Sequence, residues 1–265
     1  MPVSMTALCD DLAAESAELR HVLAGLPEAD WRRETPASGW TIGDQVSHLA
    51  YFDDVALRSA TDPEAFAAEK AQMDAEGGVS PDTIAERFRA LSGAELLTWF
   101  DDARGRLIAA FRELDPSTRV PWFGPAMSAA SSLTARIMET WAHAQDVCDT
   151  VGAVHEPSAR LRHVAHIGVG ARAFSYLAHG RSMPEAPVRV ELVAPDGSTW
   201  AWGPEDAADR INGPALDFAL LITQRRHRDD LALEVVGDAA TEWVEIGQAF
   251  AGEAGTGRAP SGAVR

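Results

Sequence analysis

The sequence predicts an α+β chain. An up-down four-helix bundle occupies residues 1–155, a small C-terminal α+β domain with its linking helix occupies 156–251, and a disordered tail follows over 252–265. Three observations carry this expectation. Four long stretches before Val154 place apolar residues at helical spacing. After Val154 the period switches to the alternation of strands, punctuated by a Pro195-Asp196-Gly197-Ser198 turn. The last residues are rich in Gly, Ala and Pro and offer no apolar face to bury.

The first helix runs from Met5 to Leu23, with Leu8, Leu12, Leu19 and Val22 or Leu23 inward. The second runs from Thr41 to about Ala60. Thr41 and Asp44 form a capping-box-like start, and Ile42, Val46, Leu49, Phe52, Val55 and Ala56 form the stripe. Asp62 to Thr83 contains Pro63, Gly77, Gly78 and Pro81 and reads as a helical insertion and loop that could border a site. Helices follow from Gly93 to Leu114 and from Ala129 to Val151, and these four long helices suit an up-down bundle with long connections. Pro121, Gly124 and Pro125 mark an ordered turn before the last of them. Trp122, Phe123 and Met127 in that turn either wall a pocket or pack into the core.

In the second part, Arg160 to Leu177 reads as one linking helix. Val188–Val193 and Thr199–Trp202 form a hairpin, and Ala208 to Asn212 is short and extended. Gly213-Pro214 opens a helix to about Arg226, Leu231–Val236 is a strand, and Ala239–Phe250 is the last helix. Strand, hairpin, helix, strand and helix together imply an α+β domain.

The chemistry concentrates in Arg136-x-x-Glu139-x-x-x-His143-x-x-Asp146. Each helical residue advances roughly 100°, so these four side chains fall within an arc of about 80°. Glu139 and His143 stand one turn apart, the spacing at which two side chains of one helix share a metal. Such a pair is also common on solvated helices, so the reading needs a third ligand. His48 supplies a candidate from the second helix, on or near its apolar stripe. Asp44, one turn earlier, could hold the ring of His48 through its second nitrogen. Two imidazoles and one carboxylate leave coordination positions open and suit Zn²⁺; nickel, iron, cobalt and copper accept the same donors.

These segments, GWTIxxQxxHLA and RxxExxxHxxD, resemble the DinB-like metalloprotein superfamily. Within it they are most similar to the mycothiol-dependent maleylpyruvate isomerase group. The likeness is closer still to an actinobacterial metal-binding subfamily of unassigned activity, through Val120–Ser131, Met138–Val147, Leu161–Val169 and Gly213–Arg228. The resemblance implies that His48, Glu139 and His143 bind the metal. It implies mycothiol as a cosubstrate, with Asp146 receiving the amine of a glucosamine-type thiol cofactor or serving as a supporting partner. It further implies a sterol-carrier-like C-terminal domain. Arg136 is expected to hold Asp146 or a substrate carboxylate.

A formal charge of −17 argues against nucleic acid and against anionic membrane surfaces. No leader-like start and no run of eighteen apolar residues is present, so a cytoplasmic protein is expected. Cys9 and Cys148 do not make a disulfide framework, and Cys148 reads as a packing residue. His163 and His166 read as domain-interface residues. Arg225, Arg226, His227 and Arg228 either meet a carboxylate or cap a solvated helix end.

The expected function is that of a divalent-metal-dependent enzyme. It would activate a low-molecular-weight thiol for S-transfer to, or isomerisation of, a small electrophilic substrate, as a monomer or homodimer. The alternatives are a thiol-independent metal-hydroxide hydrolase or lyase, and a non-enzymatic metal- and ligand-binding protein.

Overall fold

A computed structural model describes residues 4–75, 77–78 and 80–262. The chain divides into two compact units, Met1–His155 and Glu156–Arg265.

The first unit is helical. Helices α1 (Met5–Ala24), α2 (Ile42–Thr61), α5 (Gly93–Arg112) and α6 (Ala129–Val151) form the bundle, with α1 and α2 each packed on α5 and α6. Their starts follow from local chemistry. The Ser4, Thr41, Ser92 and Ser128 hydroxyls accept backbone N–H groups of the first turn, and Thr41 with Asp44 and Ser92 with Glu95 complete capping boxes. Helix α6 stops at Gly152, whose φ of 74° is open to glycine at little cost. The insertion folds as α3 (Pro63–Ala75) and α4 (Pro81–Phe88), and a two-residue pairing of β1 (Arg119–Val120) with β2 (Met127–Ser128) precedes α6.

The bundle core has two layers. One gathers Leu8, Leu12, Leu107, Phe111, Leu133 and Ile137. The other gathers Leu19, Leu23, Ile42, Val46, Leu49, Phe100 and Val147. Between them lies a buried ionic group. The Nε of Arg104 donates to Asp53 at 2.6 Å, and Arg104 also donates to Thr140 at 3.0 Å and to Ser16. Asp53 is fully buried and Arg104 is 4% exposed. The two opposite charges are held there because each offsets the other, although Asp53 Oδ1 and Arg104 Nη2 have no hydrogen-bond partner.

The second unit is α+β. Strands β3 (Val188–Val193), β4 (Thr199–Trp202), β5 (Asp209–Pro214) and β6 (Glu234–Val236) form one sheet in the order β4-β3-β5-β6. The β3–β5 pair is parallel and the other two are antiparallel. Helices α9 (Ala215–Ile222) and α10 (Asp238–Ile246) pack on the sheet. Helices α7 (Leu161–Gly170) and α8 (Arg172–Ala178) pack on α9 and α10 respectively.

Three expectations are corrected here. The linking helix breaks after Gly170 into α7 and α8. Gly168 lies against Ile222, where a Cβ would come within 2.7 Å of that side chain, so close packing has selected a weak helix former at the break. Helix α9 ends at Ile222, four residues short of the expected end, because Gln224 turns the chain with φ of 60°. The tail read as disordered is instead anchored as far as it is described: Gln248 accepts from Gly255 N at 2.9 Å, and Asp230 accepts from Ser261 N at 2.9 Å. Residues 263–265 lie outside the described residues.

No helix among the described residues is long and apolar enough to cross a membrane.

Candidate metal centre

Helix α2 presents His48 and helix α6 presents Glu139 and His143. Bundle packing brings them together. Glu139 Oε2 lies 3.5 Å from His48 Nε2 and 3.3 Å from His143 Nε2, and the two imidazole centroids are 4.5 Å apart. These separations are long for hydrogen bonds. They match the edge of a tetrahedron, about 3.4 Å, that ligand bonds of about 2.1 Å would span. One ligand atom from each of the three residues falls within 4.8 Å of the others. The donor set therefore fits a divalent first-row ion. Glu15, Glu18 and His155 also converge, but His155 Nε2 sits at hydrogen-bond length, 3.1 Å, from Glu15.

The environment prepares the donors. Burial, and then the neighbouring His143, push His48 down to about 4, so at neutral pH it is an uncharged imidazole with a free lone pair. Burial alone would raise Glu139. The imidazoles of His143 and His48, with the Arg136 guanidinium, outweigh it and hold the carboxyl well below the usual range. In the unfolded chain His48 titrates near 6.5. Between about 6.5 and 4 the unfolded state thus binds more protons, and stability falls as pH is lowered through that window. The depressed Glu139 acts with the same sign at lower pH. Metal-free protein is expected to lose about 3 kcal/mol from His48 between pH 7 and pH 4. Urea unfolding at a series of pH values checks this: His48→Gln should flatten the slope, and an unchanged slope would contradict the assignment.

The support of the imidazoles differs from expectation. Asp44 does not hold His48. Its carboxylate accepts from Thr41 N at 2.8 Å and Thr41 Oγ1 at 2.9 Å, and it pairs with Arg89 Nε at 3.0 Å. The free N–H groups of the first turn of α2 draw it away, and His48 Nδ1 has no hydrogen-bond partner. The supporting residue is Gln45, bonded through Oε1 to His143 Nδ1. The Gln45 amide is itself oriented by donating to Thr35 Oγ1 at 2.8 Å. Nδ1 of His143 is therefore the N–H donor, which turns the lone pair of Nε2 toward Glu139. Gln45→Ala should weaken metal affinity roughly ten- to a hundredfold with the fold intact. A competition titration against a chromophoric chelator reads this, and unchanged affinity would remove Gln45 from the site. The glutamine stood in the GWTIxxQxxHLA segment, three residues before His48.

Arg136 does not hold Asp146. Ten residues of helix separate them by about 15 Å along the axis, although they share a face. The guanidinium of Arg136 lies 3.9 Å from Asp53 Oδ1 and 3.9 Å from Glu139 Oε2, and its side chain is 6% exposed. It links the buried Arg104–Asp53 pair to the candidate ligand Glu139. Asp146 is 1% exposed, so its side chain is packed within the protein and not open to an approaching cosubstrate. Cys148 is buried, and burial pushes its thiol up to about 11, in keeping with a packing residue.

Aromatic rings surround the imidazole pair. Trp40 stacks on His143 at 5.8 Å and meets His48 edge-on at 5.3 Å, while Phe52 lies 4.7 Å from His48. The insertion borders the site through these rings. Trp40 Nε1 donates to Asp82 at 2.6 Å, and Phe66 packs on Trp122 and Phe123, which in turn contact Phe52. Trp40 stood in the GWTIxxQxxHLA segment, but it precedes the helix and lies outside its periodic pattern, so its contact with the imidazoles was not legible.

Residues 12–148 match the family described as mycothiol maleylpyruvate isomerase N-terminal domain. The chain belongs to that family. The match spans α1 from Leu12 through to Cys148 of α6 and so contains all three candidate ligands. Residues 184–234 match a second family, described as wyosine base formation. Two relatives from Mycobacterium tuberculosis, uncharacterized proteins MT0041 (strain CDC 1551 / Oshkosh) and Rv0036c (strain ATCC 25618 / H37Rv), are each 45% identical over 94% of this chain and 96% of their own. Among solved structures, the mycothiol-dependent maleylpyruvate isomerase is similar with a TM-score of 0.59 and 18% identity, over 88% of this chain and 93% of its own. A mutant of that enzyme gives 0.61 at the same identity and coverage. At that identity the likeness shows the α+β fold with its helical N-terminal domain.

Proposed function

We propose that this family member is a divalent-metal-dependent enzyme that activates a low-molecular-weight thiol, mycothiol by preference, for S-transfer to, or isomerisation of, a small electrophilic substrate. The observation that carries the reading is the convergence of His48, Glu139 and His143 at tetrahedral-edge distances. Zn²⁺ suits two imidazoles and one carboxylate best. Such an ion, when bound, acidifies a thiol or water and polarises a carbonyl.

The chain's own residues set up that chemistry. His48, Glu139 and His143 supply the ligands, and Gln45 fixes the tautomer of His143. Against burial, the imidazoles of His143 and His48, and then Arg136 near Glu139 Oε2, hold the carboxylate ionised. Glu139 is the single carboxylate among the three ligands, so a dication held there would keep positive charge at the ligand set. That surplus favours an anion, and hence a deprotonated thiol, at the open position. Trp40 and Phe52 exclude water from one side of the imidazoles.

Elemental analysis followed by calorimetric titration with mycothiol tests the reading. The expected result is a bound divalent metal, and thiol binding that disappears on chelation and returns with the metal. Protein without metal would overturn it. Metal-loaded protein indifferent to the thiol would also overturn it, in favour of a hydrolase or lyase using metal-bound hydroxide.

A further inference from the structure

The metal chemistry leaves unused the aromatic turn over residues 121–126 and the rings it meets. That turn is held from both sides. Val120 pairs with Met127 across it, and the Ser59 hydroxyl, near the end of α2, donates to Pro121 O. Trp122 is fixed further by stacking on the buried Phe66 of the insertion, with centroids 6.3 Å and planes 7° apart. Trp122 and Phe123 meet Phe52 at 6.3 Å and 6.2 Å, and Phe52 in turn meets His48 at 4.7 Å. A chain of rings thus runs from the insertion to the ligand set.

Another ring meets the ligand set from the start of α2. Trp40 precedes the helix, whereas Phe52 lies one turn beyond His48. The indole plane of Trp40 is within 19° of the His143 ring, and its 2.6 Å bond to Asp82 holds it there. Phe52 is buried, but Trp40, Trp122 and Phe123 each keep part of their surface exposed. Glu139, with 21% of its side chain exposed, is the most open of the three candidate ligands. Part-exposed rings fixed beside a ligand set that solvent reaches are the usual lining of a small-molecule site.

The charges around these rings disfavour an anionic guest. Arg136, the cation beside Glu139, is 6% exposed and lies within 3.9 Å of both Asp53 and Glu139. Arg89 donates to Asp44 at 3.0 Å and to Gly39 O at 2.9 Å. Asp82 puts a carboxylate against Trp40. An anionic substituent would therefore meet Asp82, and it would have to displace a carboxylate to reach either guanidinium.

Resting on the metal-centred reading above, we infer that the electrophile taken by this site carries an uncharged aromatic body, which packs against the exposed surface of Trp122 and Phe123. Ring-on-ring contact beside the ion then selects the substrate, and a small dianion is a poor fit.

Calorimetric titration of the full-length, zinc-loaded protein tests this with three probes that share one metal-binding head. These are benzohydroxamate, acetohydroxamate without the ring, and 4-carboxybenzohydroxamate with an anion on the ring. Benzohydroxamate should bind at least about tenfold more tightly than either of the others. Phe123→Ala should bring benzohydroxamate close to acetohydroxamate, and unchanged acetohydroxamate affinity shows that the ligand set is intact. Trp122→Leu should do the same where the first variant perturbs the fold. A fourth probe, 2-naphthol, has no metal-binding head. It should bind metal-free protein saturably and at least about threefold more weakly in Phe123→Ala. Equal binding of benzohydroxamate and acetohydroxamate, equal binding of the carboxylated probe, or an aryl preference untouched by both variants would each overturn the inference. Failure of 2-naphthol to bind would overturn it as well. Loss of both hydroxamates with 2-naphthol retained would instead overturn the metal reading and support the aromatic wall.

Discussion

Glu139→Ala is expected to leave the purified protein with less than about a tenth of an equivalent of metal, where the parent carries about one. The carboxylate is the group shared by both imidazoles, at 3.5 Å and 3.3 Å, so its removal leaves two imidazole donors and no carboxylate to offset a dication. Structural zinc sites with four ligands contribute roughly 10–16 kcal/mol, so losing one ligand should weaken binding roughly a hundredfold or more. Without Glu139, Arg136 also faces the ion with nothing between them, which adds repulsion. Metal analysis by mass spectrometry, with thermal unfolding as the control for fold, reads the result. Retention of a full equivalent would remove Glu139 from the site.

Asp53→Ala is expected to give the largest loss of stability of any single charge removal in the bundle. Asp53 is fully buried, is bonded by Arg104 at 2.6 Å, and faces Arg136 at 3.9 Å. Its removal takes from buried Arg104 the carboxylate it donates to and leaves Arg136 with Glu139 alone at 3.9 Å, whereas a hydrophobic core mutation leaves only a cavity. Breaking a buried pair in this way costs about 3–5 kcal/mol, which for a chain of this size lowers the melting temperature by roughly 10 °C or more. Asp53→Asn should cost less, because the amide oxygen can still accept from Arg104. Metal affinity should fall as well, since Arg136 is then drawn fully to Glu139. Chemical unfolding of metal-free protein separates the two effects. A loss below about 1 kcal/mol would show that water replaces the carboxylate and that the bundle does not rely on it.

Much of the site was legible in the chain. The candidate ligands on α6 share a face because 3.6-residue periodicity places them there, and His48 lies on the buried side of an amphipathic helix. The helix start at Thr41 was legible from its capping box, and those at Gly93 and Ala129 from helical periodicity. Misreadings came where two local signals competed. Asp44 was near enough to His48 in sequence to hold it, but the helix N-terminus claimed its carboxylate. Arg136 and Asp146 shared a face, yet direction around a helix says nothing of distance along it. The Gly/Pro-rich tail looked unable to order itself, but the buried Gln248 and the carboxylate of Asp230 supplied anchors for it.

By itself the sequence determined which residues could donate to a metal and on which helical faces they stand, since spacing and capping act within one or two turns. Only the tertiary structure decided that Gln45 holds His143 and that Asp53 ties Arg104 toward Arg136. Each of these joins residues tens of positions apart or depends on what packs around them, and such pairings are selected by the burial of the whole core, which no local pattern encodes.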